Sequence, residues 1–547
     1  MKMTKELMTL IMMLTDAYKL FHRRMYPANT VRVYSNNTFR SMKHYPGKNK
    51  KYGIVFGNQK LVIDLKDKFD EFFAMDWPVV AEFLKTQLDS FTGTDYEIEH
   101  IKYLHSLQYL PMVFKSLPEG TKCPVGVPNL TFYNTDEKCF WLTNFLETWL
   151  SNNGWQGHFS ATMSNEYREI LEHWAMKTTG SIENVPIQGH DFSMRGMGGS
   201  DVALASGMGH LTSFVGTDTV PAYLGMQYYY DSGINRWADL ATQGWMNAIV
   251  GTSVPATEHS VQCAHWNEKA MTEAGHTDEL EYLDYILAKF PTGIVSIVCD
   301  GFDFWTFITI TLPKRKSVIM ARDGKVVVRP DSGNPADIIC GISGYNTYDA
   351  YYKMEYAQPT ERGIADVNEY KGAVECLWDI FGGTTNDLGY KELDSHIGLI
   401  YGDSITLDLC NEICSKLTDK EFASTNWVAG IGSFTFRFAT RDSMGGAYKA
   451  THIQLEEEIY HGAPTTPYTA IVGKNIFKDP KTGDGTKKSA KGLLRVYEDK
   501  VGTLVLQNEV SEEDERTGEL KIIFQDGELY NQTNLFEIRN RITNREN

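Results

Sequence analysis

His259 is the residue in this chain best suited to carry chemistry. It stands in Ser253-Val254-Pro255-Ala256-Thr257-Glu258-His259-Ser260, where a short apolar run gives way to polar groups. Imidazole titrates near neutrality, so it can act as base, acid or transient phosphoryl acceptor. A second polar end closes Lys325-Val326-Val327-Val328-Arg329-Pro330-Asp331-Ser332-Gly333-Asn334-Pro335. Residues two apart in a strand face the same way, so Arg329 and Asp331 can together bind an anion and hold a hydroxyl. Plainer readings stand beside these. Arg-x-Asp is often a surface ion pair, and a histidine is often structural. His259, Cys263 and His265 also have ligand-like spacing, but a zinc site usually draws on a second cluster and none is evident.

The pattern of an apolar run closed by Gly, Asp, His or Ser recurs. It appears at Ile187 to Gly196, Ser213 to Thr219, Gly293 to Gly301, Ile397 to Ser404 and Trp427 to Ser433. A buried parallel strand is a short β-branched run, and the carboxyl ends of such strands are where α/β folds put their sites. Stretches long enough for crossover helices separate most of them, as at Ser260 to Lys289, Pro335 to Asp349 and Thr406 to Lys420. Seven or eight such units predict a (β/α) barrel, regular or irregular, with an open doubly wound sheet as the rival.

The elements around this barrel differ in kind. The chain has 547 residues, enough for more than one domain, and its 42% hydrophobic content can bury a large core. Residues 156–435 are expected as the catalytic barrel, with residues 1–155 and 436–547 lying outside it; that these two form one α+β domain is what the family resemblance given below implies. Val31 to Asn36, Leu494 to Tyr497 and Thr503 to Gln507 read as strands, Asp64 to Leu88 as a helical stretch, and Lys478 to Lys491 as a Lys/Gly-rich loop. The apolar start, Leu7 to Leu14, has no small-x-small cleavage site after it and is read as structural. No apolar span is long enough for a transmembrane helix. The net charge of −17 argues against a nucleic-acid or membrane-surface partner, though a pocket can still be locally basic through Arg195, Arg329, Arg437 and Arg441. Eight scattered cysteines, several in apolar runs, fit buried thiols of a reducing, cytoplasmic compartment.

The last two strand ends, Gly402-Asp403-Ser404 and Gly430-Ile431-Gly432-Ser433, stand where a barrel usually binds phosphate, and glycine lets backbone amides come close. Asp331 and Asp403 can each take a ribose hydroxyl, so the pocket reads as one for a phosphorylated sugar. In the loop, Lys487, Lys488 and Lys491 are candidates to sample a polyphosphate or are simply solvated.

Taken in order, His190-Asp191-Phe192 with Arg195, Gly216-Thr217-Asp218-Thr219, the Ser253 to Ser260 segment and Arg329 to Pro335 resemble the nicotinate/nicotinamide phosphoribosyltransferase family, specifically its nicotinamide-using members. Thr15 to Lys19, Tyr34 to Arg40, Thr440-Arg441-Asp442, Tyr448-Lys449 and Phe477 to Pro480 match in kind, so the resemblance spans nearly the whole chain. It implies an irregular α/β barrel of the type II phosphoribosyltransferase kind, a β-rich second domain built from both chain ends, and a homodimer with shared active sites. The implied reaction joins nicotinamide to 5-phosphoribosyl 1-diphosphate, giving nicotinamide mononucleotide and diphosphate in NAD salvage. Mg²⁺ is the implied cofactor and ATP a co-substrate.

The resemblance also assigns residues. Phe192 and Tyr18 would sandwich the pyridine ring, with Tyr18 coming from the partner subunit. Asp218 would accept from the carboxamide nitrogen, and Arg329 would meet the carboxamide oxygen or the ribose side. Asp16, Arg195, Ser253, Ser296, Gly402, Asp403, Gly432 and Ser433 fall with ribose and phosphate, and Asp331 with ribose at the reacting centre. Arg40, Arg441, Lys449 and Lys478 fall with diphosphate or ATP. His259 is similar to the family histidine phosphorylated by ATP. No residue is implied as a resident metal ligand. This chain departs from the family at Ala447, where a serine is usual, at Ser193-Met194, where an aromatic precedes the Arg, and in lacking a third Gly near Gly430-Ile431-Gly432.

Other readings have specific requirements. A nicotinate-using enzyme would set a carboxylate substrate against Asp218. A metal-dependent amidohydrolase barrel would need a His-x-His strand end, and none occurs. A non-enzymatic interaction protein would have little use for so many polar strand ends.

Overall fold

The computed structural model describes residues 3–266, 279–342, 367–402, 404–459, 468–482 and 488–543. The chain divides into two compact units. One comprises Met1–Thr162, Gly225–Ser232 and Ala439–Asn547, and the other Met163–Leu224 and Gly233–Phe438.

The second unit holds a six-stranded parallel sheet. In spatial order its strands are Gly216–Thr217, Gly189–Asp191, Trp427–Ile431, Ile397–Tyr401, Val326–Arg329 and Val295–Val298. The sheet closes on itself through residues 252–257. Thr252 bridges Gly216 at one edge, and Ala256 bridges Ser296 at the other. The amide of Thr217 donates to Thr252 at 2.9 Å, and that of Ser296 donates to Pro255 at 2.9 Å. Around the ring, chain order and spatial order therefore agree, as in a barrel of βα units. The expected Ser253–Thr257 strand is not a strand but a segment held by single bridges, because Pro255 has no N–H to give a ladder. The Ser213–Thr219 strand likewise shrinks to Gly216–Thr217.

Side-chain alternation sorts the barrel residues. Val326 and Val328 are fully buried, while Arg329 belongs to the opposite face and reaches the cavity at the strand ends. Glycine is required where strands converge: a Cβ at Gly430 would lie 2.1 Å from the carbonyl oxygen of Tyr401. The crossover helix Leu407–Asp419 shows why its sequence is helical. Thr406 caps it by accepting from the amide of Leu409, and Leu407, Cys410, Ile413, Cys414 and Leu417 form one buried stripe. At helix Pro335–Cys340, Asn334 accepts from the amides of Ala336 and Asp337, and the proline opens the first turn.

The first unit contains a seven-stranded sheet that interleaves both chain ends. Its order is Tyr468–Asn475, Gly446–Ile459, Thr30–Phe39, Pro128–Asn134, Met112–Ser116, Lys521–Gln525 and Glu528–Leu529. Every pairing in it is antiparallel. The helical stretch expected at Asp64 to Leu88 is two helices, Asn58–Ala74 and Trp77–Thr92, since Pro78 favours a new first turn over continuation. Leu7, Leu10, Ile11 and Met12 of the apolar start pack into this unit's core with Phe69, Phe72 and Phe114. Leu494–Glu498 and Leu504–Asn508 pair as a separate hairpin. Seven of the eight free cysteines are buried and Cys263 is exposed. No described helix is long and apolar enough to cross a membrane.

Two buried histidines and the half-buried His100 give the protein an acid limit. Burial pushes the imidazole of His100 down to about 3 and those of His158 and His210 down to about 4. Their neutral rings are kept in the folded state, whereas the unfolded chain protonates them near 6.5. Between these values the unfolded state binds more protons, so stability is full above about pH 6.5 and falls as pH drops. His100 and His158 lie in the first unit and His210 in the second. Near pH 5 each contributes a slope approaching ~1.4 kcal/mol per pH unit, so the protein should weaken steeply on acidification. Denaturant unfolding followed from pH 7.5 to 5 measures this; a midpoint that stays level or rises on acidification would contradict it.

Candidate active site

Strand ends of the second unit and the 252–257 segment surround a cavity of about 500 Å³, within the range of small-ligand sites. It gathers Phe192, Arg195, Asp218, His259, Arg329, Asp331 and Gly402 from the expected set. They come from five places: Phe192 and Arg195 follow the strand Gly189–Asp191, Asp218 follows Gly216–Thr217, His259 follows the 252–257 segment, Arg329 ends and Asp331 follows Val326–Arg329, and Gly402 follows Ile397–Tyr401. Met194, Thr219, Ala256, Thr257, Glu258 and Ser260 complete the wall.

His259 is the first residue of the short helix His259–Ala264, not the end of a strand. Its Nε2 lies 3.0 Å from Oδ1 of Asp300 and 3.7 Å from Oδ1 of Asp331. Asp300 follows the Val295–Val298 strand and its side chain is only 2% exposed. Its other oxygen accepts from the amides of Asp331 and Ser332, at 2.9 and 2.8 Å, and from the Ser332 hydroxyl at 2.7 Å. Burial alone would raise the Asp300 pKa, but these donors and His259 outweigh it and hold the carboxyl below its ordinary value. Asp300 therefore anchors both the imidazole and the turn that carries Asp331. No role was expected of it, although the sequence places an aspartate at that strand end.

Asp218 forms a second node. Its Oδ1 lies 2.8 Å from Nε2 of His190 and also accepts from the Ser253 hydroxyl. Burial raises the Asp218 pKa, and the His190 and Ser253 bonds, with the Arg329 charge, more than reverse this. Asp218 is thus an ionised acceptor facing the cavity. The Phe192 ring lies 4.5 Å from that of His190, and the Arg329 guanidinium lies 5.9 Å from the Phe192 centroid. Arg329 also donates to the carbonyl of Thr257.

Several expected ribose or phosphate residues lie elsewhere. Ser253 is committed to Asp218. Ser296 is 4% exposed on the strand Val295–Val298 and does not line the cavity; its buried hydroxyl has no hydrogen-bond partner. Gly432 and Ser433 open the helix Ser433–Arg437, which packs on the Met194–Gly196 turn that carries Arg195. Asp403 lies outside the described residues, as does Lys487.

The first unit gathers a second set. Asp16, Tyr18, Arg40, Arg441 and Lys449 line one cavity of about 330 Å³ with Lys19, Glu147 and Trp155. Lys19 is paired with Glu147 at 2.5 Å and Arg441 with Asp442 at 2.9 Å. Burial and the neighbouring Arg441 charge lower the Arg40 pKa, and burial with Arg40, Lys19 and Arg441 lowers that of Lys449 despite Glu147. Like charges held this close favour a bound anion. Tyr18 is 58% exposed. Lys478 does not line this cavity; its amide donates to the Ser489 hydroxyl.

A divalent cation has one candidate place among the described residues. Ligand atoms of His259, Asp300 and Asp331 all lie within 4.8 Å of one another. The triplet of His259, Cys263 and His265 is not brought together as a metal site; the ring of His265 packs on Tyr282 and Tyr285.

The chain matches the model of the nicotinate phosphoribosyltransferase (NAPRTase) family over residues 187–498, the stretch that holds the whole barrel cavity. It is 41% identical over 542 residues to a nicotinamide phosphoribosyltransferase of Acinetobacter baylyi, covering 96% of each chain. It is 29% identical over 498 residues to a nicotinamide phosphoribosyltransferase of Mycoplasma pneumoniae, covering 88% of this chain and 96% of that one. The ordered strand ends, the cavity they enclose and these matches lead to one assignment: the chain belongs to the nicotinate phosphoribosyltransferase family.

Proposed function

We propose that this protein transfers the 5-phosphoribosyl group of 5-phosphoribosyl 1-diphosphate to nicotinamide, releasing diphosphate and forming nicotinamide mononucleotide for NAD salvage. The observation that carries the choice of base is Asp218, an ionised acceptor in the cavity wall beside the Phe192 ring. Nicotinamide offers an NH₂ donor to it, whereas nicotinate offers only negative charge. That favours the amide over the family's nicotinate reaction.

Phe192 positions the pyridine ring so that its weakly nucleophilic nitrogen faces the anomeric carbon, an advantage of orientation. As the bond to diphosphate breaks, positive charge develops on the ribose and negative charge on the leaving group. Asp331 faces the first, and a cation cluster such as Arg40, Arg441 and Lys449 suits the second. Mg²⁺ prefers oxygen ligands, and the carboxylates of Asp331 and Asp300 fit it; bound there it would shield phosphate charge. Asp300 holds Nε2 of His259, leaving Nδ1 to attack the γ-phosphorus of ATP with loss of ADP. The buried Asp300 carboxylate would stabilise the positive charge the ring then gains. The reading includes a cytoplasmic enzyme, consistent with eight free thiols, and a homodimer in which Tyr18 serves the partner's site.

The direct test incubates the protein with nicotinamide, 5-phosphoribosyl 1-diphosphate and Mg²⁺, with and without ATP, and assays mononucleotide and ADP. His259→Ala should abolish ADP release and slow ATP-dependent synthesis on the order of 10²-fold, with the circular dichroism spectrum unchanged. Full ATP-dependent synthesis by that variant would remove the phosphohistidine role. Shared sites predict that Tyr18→Ala and His259→Ala, each inactive alone, recover partial activity after subunit exchange. No recovery from demonstrably mixed dimers would mean that each subunit works by itself.

A further inference from the structure

Resting on the nicotinamide reading above, we propose that His190 is the positioning residue that sets the choice between nicotinamide and nicotinate. The argument begins with which oxygen of Asp218 is occupied. Nε2 of His190 and the hydroxyl of Ser253 both engage Oδ1. Among the described residues no hydrogen bond reaches Oδ2, so this oxygen is left for a ligand donor. A carboxylate held at one oxygen by two fixed partners cannot swing, and its free lone pairs keep one direction.

The surroundings of His190 point to the same role. Its side chain is 12% exposed, against 40% for Asp218, so the imidazole supports the carboxylate from behind. Room for the ring comes from Gly216, where a Cβ would lie 2.8 Å from His190 Nδ1. The same ring packs against Phe192 at 4.5 Å with a 30° tilt. One imidazole thus braces both the proposed ring platform and the proposed amide acceptor.

Removing His190 would relax selectivity. Asp218 would lose one of the two partners that fix its direction, which weakens acceptance from the amide NH₂ and narrows the advantage of the amide over the acid.

The test compares kcat/KM for nicotinamide and nicotinate in the full-length protein, its His190→Phe and His190→Gln variants, and Asp218→Ser as a control. A hydrogen bond to a charged group corresponds to a change of roughly 10- to 100-fold. His190→Phe should lower kcat/KM for nicotinamide by about that factor, chiefly through KM, and narrow the amide-to-acid ratio to match. KM for 5-phosphoribosyl 1-diphosphate should not move. His190→Gln, which keeps an N–H donor near the Nε2 position, should restore most of the ratio. If the phenylalanine variant does not fold, His190→Met carries the same expectation. The inference is overturned if the apolar variant lowers both bases equally, or if Asp218→Ser changes the ratio while it does not. A wild-type protein that makes no mononucleotide from nicotinamide would instead remove the reading on which the inference rests.

Discussion

The backbone bonds of residues 252–257 are the constraint on which the second unit depends. Without them the six parallel strands form an open sheet with two edges; with them the sheet meets itself. Closure brings strand ends far apart in sequence around one cavity, 191–195 beside 216–219 and 256–260 beside 296–300. The same segment holds three neighbours in place. The Thr257 hydroxyl accepts from the amide of Val298 and pairs with the Tyr282 hydroxyl, while its carbonyl accepts from Arg329. Two residues later the chain turns into the helix that begins with His259.

Electrostatics then fixes the polar groups that closure has gathered. Burying a carboxylate without partners costs several kcal/mol, so Asp300, whose side chain is nearly closed off from solvent, must collect donors. Asp300 collects two amides, a hydroxyl and an imidazole, which orders the Asp331 turn and aims His259. Asp218 collects an imidazole and a hydroxyl on one oxygen only. Among the described residues Asp300 has both oxygens engaged within the protein, Oδ1 by His259 alone, whereas Asp218 has one oxygen left over. In the first unit the balance has the opposite sign: Arg40 and Lys449 are brought together with their charged forms disfavoured, a state that an anion relieves.

Much of this was legible in the residues themselves. Runs such as Val326–Val328 and Ile397–Ile400 can be little else than buried parallel strands, and their polar ends marked the cavity. Phe192, Arg195, Asp218, His259, Arg329, Asp331 and Gly402 meet there because each directly follows such a run or ends it. What failed to show was pairing across the barrel. Pro255 turns an apparent strand into two bridges, and Ser253, whose type suits a phosphate, is taken by Asp218 from the neighbouring strand end. Ser296 points into the packed interior, a depth that strand alternation cannot reveal. Asp300 was overlooked because its partners lie 32 and 41 residues away. The gathering of Arg40, Arg441 and Lys449 followed from family resemblance, since the sheet pairing that aligns Thr30–Phe39 with Gly446–Ile459 leaves no local trace in sequence; that Tyr18 lines the same cavity was not expected.

The central claim is that Asp218 reads the carboxamide while Phe192 carries the ring. A crystal structure of the protein with nicotinamide mononucleotide tests it most directly. The account predicts the carboxamide nitrogen within hydrogen-bond distance of Asp218 Oδ2, the pyridine ring stacked on Phe192 and Oδ1 still engaged by His190. A mononucleotide bound with its carboxamide turned away from Asp218, or outside this cavity, would contradict the account.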